Sequence, residues 1–213
     1  MEEQLIQHLK DLVSINSVNP DLSKLGQGEK QIAEFVHNHF TKLNIESKVH
    51  IIKDDRCNTT AFLKGNNPEK ILLLNGHLDT VGIEDMKDPF ILKNDGDHLY
   101  GRGTYDMLAG CAIQMALATF FSKNPCPISL AFTFVADEEN MSIGMEYLIE
   151  NYLPTLPSKP FLGIFMEPTE EAIGISHKGY SWYELKIEGL AAHGSRPEPV
   201  SYTHLTLPTN REV

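Results

Sequence analysis

Polar residues of the types that bind metals stand where the apolar segments of this chain end. His77 and Asp79 follow the apolar run at residues 71–74, and a spacing of two lets both side chains project toward one place. The other members of the pattern are Asp106 after a glycine-rich loop, Asp137-Glu138-Glu139 after residues 128–136, and Glu167 after residues 161–166. One such residue alone has an ordinary structural or solvent-exposed explanation. Four groups at these places indicate a site, because open α/β sheets build their sites at the carboxyl ends of strands.

The residue types in this pattern suit a divalent cation. One histidine and several carboxylates offer nitrogen and oxygen donors without thiolates, which favours zinc, cobalt or manganese. Asp106, Glu139 and Glu167 would bring three negative charges together, and these would repel strongly if they were dry and unpaired. Two divalent cations would balance this charge and leave room for a bridging hydroxide, and ions of two-metal hydrolases lie about 3.5–4 Å apart.

Hydrophobic periodicity predicts the elements that position these residues. Helical spacing marks residues 2–15, 29–43, 107–121 and 143–152, and strand patterns mark residues 45–53, 59–63, 70–74, 128–136 and 161–166, with a hairpin tip at Asn94–Asp97. Because helices alternate with apolar strands, we expect an α/β fold with a mostly parallel sheet flanked by helices. The alternating segments 172–176 and 181–189 predict strands that leave this domain and start another.

Composition excludes several classes of protein. The 213 residues carry 18 Lys and Arg against 29 Asp and Glu, a net charge of −11, which argues against a nucleic-acid partner. The most apolar stretch, Met107–Phe121, is shorter than the roughly 20 residues that a membrane span needs, and the acidic start lacks a signal-peptide pattern. The three cysteines stand at unrelated spacings, which predicts neither a disulfide framework nor a thiolate zinc cluster. We therefore expect a cytoplasmic enzyme that binds no membrane.

Several short motifs give the sequence a family resemblance. The strings are NGHLDTV at 75–81, DPF at 88–90, YGRGTYDM at 100–107, ADEE at 136–139, MEPT at 166–169 and AHGSRP at 192–197. With these motifs the chain resembles the zinc metallopeptidase and amidohydrolase family of acetylornithine deacetylase, succinyl-diaminopimelate desuccinylase, aminoacylase and glutamate carboxypeptidase. The resemblance covers residues 1–199. It implies a di-zinc exopeptidase-like catalytic domain followed by the start of an α+β lid and dimerisation domain.

The resemblance also implies a set of metal ligands. His77, Asp106 and Glu167 would hold one metal ion, and Asp106 would bridge to a second ion that Glu139 also binds. The cofactor would be two divalent ions, zinc first, with cobalt or manganese as alternatives. The family's remaining ligand to the second ion is a downstream histidine that nothing in this chain matches. A cis peptide would follow the bridging aspartate, at Asp106–Met107.

Three further residues match positions with catalytic roles in that family. Glu138 resembles the general base, and Asp79 resembles the carboxylate that fixes the tautomer of the metal-binding His77. His193 resembles a lid histidine that reaches the active site of the other subunit and steadies the oxyanion, which would make the enzyme a homodimer. An exposed histidine in a turn is the alternative for His193.

The function implied is hydrolysis of the amide bond of small N-acyl amino acids, through a water that bridges two metal ions. Glu167, rather than aspartate, favours the deacetylase and desuccinylase branch. A di- or tripeptidase on the same scaffold, acting on short peptides, remains an alternative. So does a non-catalytic metal-binding relative, although the presence of Glu138 counts against it. A serine hydrolase is excluded because no Gly-x-Ser-x-Gly elbow occurs.

The order of motifs predicts the domain boundaries. Residues 1–176 would form the catalytic domain and residues 177–199 the truncated start of the lid domain. The tail at 200–213, VSYTHLTLPTNREV, lacks an amphipathic period, and its first ten residues resemble a translated sequencing adaptor. We expect this tail to be non-native, with an ordinary polar tail as the alternative. The native protein would then be longer, and the 213-residue fragment would be inactive.

Overall fold

The structure is a computed structural model that describes residues 2–84, 86–170, 172–176 and 179. The chain divides into two units, Met1–Ala172 and Ile173–Val213. Every helix and strand of the described residues lies in the first unit. The strand expected at 181–189 lies outside the described residues.

The first unit contains the predicted elements with modest changes at their ends. Its helices are α1 (Glu2–Val13), α2 (Lys30–Lys42), α3 (Leu108–Phe121) and α4 (Ile143–Tyr147), the last continuing as a π-helical turn at Leu148–Tyr152 and a 3₁₀ turn at Leu153–Thr155. Its strands are β1 (Glu46–Lys53), β2 (Arg56–Leu63), β3 (Asn67–His77), β4 (Lys93–Asn94), β5 (Leu99–Tyr100), β6 (Ile128–Val135) and β7 (Leu162–Phe165). Within the described residues no helix combines the length and the apolar character that crossing a bilayer requires.

The central sheet is mixed, in the order β1-β2-β6-β3-β7. Strand β3 pairs in parallel with β6 and with β7, whereas β1 with β2 and β2 with β6 are antiparallel. The α/β fold is confirmed, and in its parallel half residues predicted to form a site stand at the carboxyl ends of β3, β6 and β7. Strand β1 is antiparallel to β2 because a two-residue turn, Asp54-Asp55, joins them, and so short a connection reverses the chain.

Strand β3 extends further than the apolar pattern predicts, and it includes His77 itself. Asn75 lies opposite Thr133 of β6, and its Nδ2 donates to Thr133 Oγ1 at 2.9 Å. This buried side-chain pair satisfies polar groups that would otherwise break the apolar interior. The parallel pairing of β3 with β6 therefore continues without a break from Ile71 up to His77.

The main core lies between the sheet and helices α1, α2 and α3. Phe40 of α2 packs its ring 5.1 Å from Phe132 and 5.8 Å from Phe134 of β6. On the opposite face a smaller cluster of Ile71, Leu73 and Ala131 packs against Phe62, Leu153 and Leu156. The three cysteines are free and buried in this unit.

Residues 172–176 form no strand, so the prediction of a strand there is wrong. The side chains of Ile173 and Ile175 are 91% and 94% exposed. An alternating pattern specifies a strand only where a neighbouring strand and a core are available to it. The short hairpin predicted around residues 94–97 is confirmed as β4 and β5.

Two glycines let the first turn of α3 lie directly against the end of β3. A Cβ on Gly76 would lie 2.7 Å from Met107 Cε and 3.2 Å from Cys111 Sγ. A Cβ on Gly110 would lie 2.7 Å from Met107 Cε and 2.7 Å from both Cβ and the carbonyl oxygen of Met166. A side chain at Gly110 would meet the backbone oxygen of Met166 and push α3 away from the segment that carries Glu167, whereas one at Gly76 would displace the end of the Met107 side chain.

We expect Gly110→Ala to destabilise the protein. Alanine is favoured over glycine in an exposed helix by up to about 1 kcal/mol, but overpacking a core costs about 1–3 kcal/mol. Because one neighbour is the backbone oxygen of Met166, the second effect wins, and the free energy of unfolding falls. Denaturant unfolding measures it. Gly163→Ala is the control, because its Cβ meets only ordinary contacts at 3.4 and 3.9 Å. A Gly110→Ala protein as stable as the parent would contradict this packing.

A pair of histidines at the junction of the three core helices makes stability depend on pH. The rings of His8 and His39 lie 4.7 Å apart, and His39 Nε2 lies 3.2 Å from the carbonyl oxygen of Met115. Burial, together with the neighbouring His8, lowers the pKa of His39 to about 4, and burial also lowers the pKa of His8. Between this value and the ordinary 6.5 the unfolded chain binds more protons than the folded one.

The contribution of His39 to the free energy of unfolding should therefore fall as pH drops from 7 toward 4. His39→Gln should reduce this slope by up to about 1.4 kcal/mol per pH unit, because it removes one of the protons taken up on unfolding. Urea unfolding at a series of pH values measures the slope. His98→Gln, at an exposed histidine, should leave it unchanged. Equal slopes for the parent and His39→Gln would show that His39 takes up no proton on unfolding.

Candidate metal-binding site

Three side chains converge at the carboxyl edge of the parallel strands. His77 ends β3, Asp106 precedes α3, and Glu167 follows β7. Each offers a ligand atom, and these atoms all lie within 4.8 Å of one another. His77 Nε2 lies 3.0 Å from Asp106 Oδ1 and 3.8 Å from Glu167 Oε1. The fold thus brings together three of the four residues that the sequence indicates as metal ligands.

A contact with the backbone fixes which ring nitrogen of His77 faces the site. Its Nδ1 lies 2.9 Å from the backbone carbonyl oxygen of Asp79 and 3.5 Å from that residue's carboxylate. A carbonyl oxygen only accepts, so Nδ1 carries the proton and Nε2 is left to face Asp106 and Glu167. The family resemblance implies this orienting role for the Asp79 carboxylate, whereas the nearer acceptor is the main-chain carbonyl of the same residue.

The electrostatics of the cluster fit a bound cation. Burial opposes a charge on His77, yet hydrogen bonds with Asp106 and Asp79 raise its pKa to about 11. Burial, with the neighbouring carboxylates, raises the pKa of Glu139 and of Glu167 to about 7. A lone pair on Nε2 would repel the carboxylate oxygens that it faces, unless a proton or a cation lies between them. Nitrogen and oxygen donors without thiolates suit a divalent cation in that place.

The ADEE segment is anchored to the same place through the buried carboxylate of Asp79. The backbone N–H of Glu138 donates to Asp79 Oδ1 at 2.9 Å, and that of Glu139 donates to Oδ2 at 3.2 Å. Burial raises the pKa of Asp79, but hydrogen bonds with His77, Asn19 and the Glu138 N–H outweigh it and hold the pKa below its usual range. Asp79 therefore remains a carboxylate that fixes the direction of both glutamates.

The two glutamates differ in their placement. Glu138 Oε2 lies 3.8 Å from His77 Nε2, and its side chain is 44% exposed, so it borders both the ligand cluster and solvent. Glu139 is not part of the group formed by His77, Asp106 and Glu167 in the described part of the chain. Its role as a ligand of a second ion stays a prediction. His193 lies outside the described residues, and its role also stays a prediction.

The peptide bond between Asp106 and Met107 is cis, as the family resemblance implies. The side chain of Met107 is buried against β3, where the His77 backbone N–H donates to its sulfur at 3.3 Å. The Cys111 thiol donates to the carbonyl oxygen of His77 at 3.2 Å. The start of α3 is therefore tied to the residue that ends β3.

Sequence reasoning missed the polar residues that lie beneath this site. Asn19 reads in the sequence as part of a helix-breaking Asn-Pro pair, yet its Nδ2 donates to Asp79 Oδ2 at 2.9 Å. Arg56 lies between the two strands predicted at residues 45–53 and 59–63, yet its side chain is buried among carboxylates. No spacing connects either residue to the site, because the contacts are made across the fold. A buried arginine beside an acidic motif has no local sequence signal.

Comparison with known proteins supports the resemblance. Residues 73–206 match Peptidase family M20/M25/M40. An uncharacterized metallohydrolase of Methanocaldococcus jannaschii is 34% identical over 92% of this chain and 52% of its own length. An acetylornithine deacetylase of Buchnera aphidicola is 28% identical over 91% of this chain and 50% of its own length. The chain therefore spans about half the length of these relatives.

The fold has counterparts among solved structures. The crystal structure of human carnosine dipeptidase 1 superposes with a TM-score of 0.68 over 77% of this chain and 38% of that one. At 18% identity this likeness establishes the architecture alone. The matched motifs, the fold and the sequence relatives agree, and the chain belongs to Peptidase family M20/M25/M40.

Proposed function

We propose that the whole protein is a metal-dependent hydrolase that cleaves the amide bond of N-acyl amino acids. The observation that carries this proposal is the convergence of His77, Asp106 and Glu167, with Glu138 beside them, in a chain of this family. The relative named acetylornithine deacetylase supports an N-acyl amino acid as substrate. Glu167, which the family resemblance associates with the deacetylase and desuccinylase branch, supports the same substrate class.

Each residue has a distinct part in the proposed reaction. His77, Asp106 and Glu167 would hold one divalent cation, and Asp106 with Glu139 would contribute to a second. Zinc is the proposed ion, with cobalt or manganese as alternatives. When bound, such ions polarise an amide carbonyl and make a water molecule more acidic. The backbone around Asp79 holds His77 with Nε2 directed into the site.

Glu138 is the proposed general base and acid. Its carboxylate would take a proton from the attacking water and then give it to the leaving amine. Its main chain is fixed by Asp79, while its side chain reaches both His77 and solvent, where a substrate would enter. His193, from the lid of a second protomer, is proposed to steady the developing oxyanion. That role would require a homodimer.

A di- or tripeptidase is the second candidate function. Peptides and N-acyl amino acids present the same amide bond, so the ligand cluster serves either substrate. The likeness in fold to a dipeptidase is the observation that favours this second candidate. Assays of the whole protein with N-acetyl and N-succinyl amino acids, set against unmodified dipeptides, separate the two candidates.

Metal removal should abolish the activity of the whole protein. We expect close to two divalent ions per subunit, because two ions balance the carboxylates of the cluster and its neighbour Glu139. Metal analysis of the purified protein gives the number, and hydrolysis before and after chelation gives the dependence. Restoring zinc, cobalt or manganese separately identifies the ion that supports turnover. Full hydrolysis by a protein stripped of metal would end the proposal.

Glu138→Gln and Glu139→Ala should impair the enzyme in different ways. Loss of the general base should lower kcat by about 10²–10⁴-fold while metal content stays nearly intact. Glu139→Ala should instead lower metal occupancy. Metal analysis and steady-state kinetics on the same preparations distinguish these outcomes. Glu150→Gln, at an exposed helical glutamate, serves as the control and should change neither. The reverse pattern would show that the two roles are exchanged.

A further inference from the structure

A buried cluster of charged and polar side chains lies directly beneath the candidate site. Its members are Asn19, Glu29, Arg56, Asp79 and Asp137, and all of them are buried. Arg56 pairs with Glu29 through Nε at 3.1 Å and with Asp137 through Nη2. Charged groups are rarely buried unless they are paired, and a paired cluster fixes the geometry of its members. This cluster touches the site through two of them, Asp79 and Asp137.

The backbone places Asn19 at the centre of the cluster. Residues 17–19 run alongside residues 79–80, with a parallel bridge between Val18 and Thr80. The Asn19 N–H donates to the Thr80 carbonyl oxygen at 2.8 Å, and the Thr80 N–H donates to the Ser17 carbonyl oxygen at 3.1 Å. The loop after α1 therefore follows the chain that leaves His77. Asn19 has little freedom to move relative to Asp79.

The amide of Asn19 connects two carboxylates that would otherwise repel each other. Its Nδ2 donates to Asp79 Oδ2 at 2.9 Å and to Asp137 Oδ1 at 3.0 Å. Its Oδ1 accepts from Arg56 Nη1 at 2.8 Å. A guanidinium only donates, so Arg56 fixes which end of the amide is oxygen and which is nitrogen. An amide is needed here because it accepts on one side and donates twice on the other.

Asp137 transmits this arrangement to the two glutamates that follow it. Its φ is +63°, a left-handed conformation that is uncommon for a residue other than glycine. Asn19 and Arg56 hold its side chain, while its N–H donates to Glu29 Oε1 at 3.3 Å. The left-handed turn directs the N–H groups of Glu138 and Glu139 onto Asp79. A change of φ at Asp137 would turn both glutamates away.

We propose that Asn19 and Arg56 are positioning residues, which act through Asp79 and Asp137 to set the orientation of Glu138. The proposal rests on the proposed function, since Glu138 is the base of that reaction. An ion pair with a purely structural role would need only the contacts of Arg56 with Glu29 and Asp137. Such an ion pair would not require the amide of Asn19, which joins Asp137 to Asp79, the residue that orients His77.

The test uses Asn19→Ala and Arg56→Lys in the whole, metal-loaded protein. Arg56→Lys keeps a positive charge in the buried cluster, but one ammonium group cannot reproduce the fork that reaches both Asn19 and Asp137. We expect kcat toward N-acetyl amino acids to fall about 10–100-fold, the size typical of residues that orient metal ligands. KM should change less than about threefold, because neither side chain meets the substrate.

Two control variants separate positioning from stability. Asp21→Asn alters a carboxylate that meets Arg56 from the solvent side at 3.7 Å and is 64% exposed, and it should leave kcat unchanged. Thr60→Val removes a buried hydroxyl that lies 2.8 Å from His50 Nε2 and belongs neither to the cluster nor to the candidate site, and it should lower the melting temperature without lowering kcat. Each variant is compared at equal folded concentration.

A spectroscopic readout makes the result independent of turnover. With cobalt(II) in place of the native metal, the visible absorption bands report the geometry of the ligands, which include His77, whose ring Asp79 also holds. We expect them to shift in Asn19→Ala and Arg56→Lys and to stay fixed in the two controls. If the parent hydrolyses no amide substrate, the proposed function fails, and the cobalt spectra alone decide the inference.

Unchanged kcat and unchanged cobalt spectra in both variants would overturn the positioning role. A loss of melting temperature alone, as in Thr60→Val, would also overturn it and leave a structural role. If Asn19→Ala does not fold, Arg56→Lys decides by the same criteria, since it retains the buried charge.

Discussion

A buried imidazole that faces carboxylates is the constraint on which the rest of the structure depends. His77 Nδ1 is committed to a main-chain carbonyl, so its Nε2 meets Asp106 and Glu167 at 3.0 and 3.8 Å. Without a cation between them, His77 and Glu167 bind protons more readily than they do in water, as their raised pKa values show. Close packing at the end of β3 holds these groups together.

Packing and electrostatics cooperate at the end of β3. Gly76 and Gly110 remove the side chains that would separate α3 and the segment after β7 from this strand. Met107 then fills the space so completely that its Cε would touch a Cβ added at either glycine. Rigid interiors transmit displacement, so the distances between the ligands are fixed by hydrophobic contacts that carry no charge themselves.

The sequence predicts those parts of the site that stand directly beside an apolar helix or strand. His77, Asp106 and Glu167 each follow or precede an apolar element, so periodicity alone places them at one edge of a sheet. The role of the Asp79 main chain, and of Asn19, could not be read in this way, because their contacts depend on how distant segments run side by side. The failed strand at 172–176 has the related cause that an alternating pattern does not reveal its pairing partner. The assignments of Glu138, Glu139 and His193 remain predictions.

The mixed topology of the sheet explains how Arg56 comes to lie beneath the site. Strand β6 is parallel to β3, so it delivers Asp137 to the same edge as His77. Strand β2 is antiparallel to β6, with Thr59 opposite Phe134 and Thr60 opposite Thr133. Continued toward the strand end, that register sets Arg56 opposite Asp137, where the two are ion-paired. A wholly parallel sheet would have brought the other end of β2 to this edge. The antiparallel half of the sheet, which the apolar pattern did not predict, is therefore what brings a cation under the acidic segment.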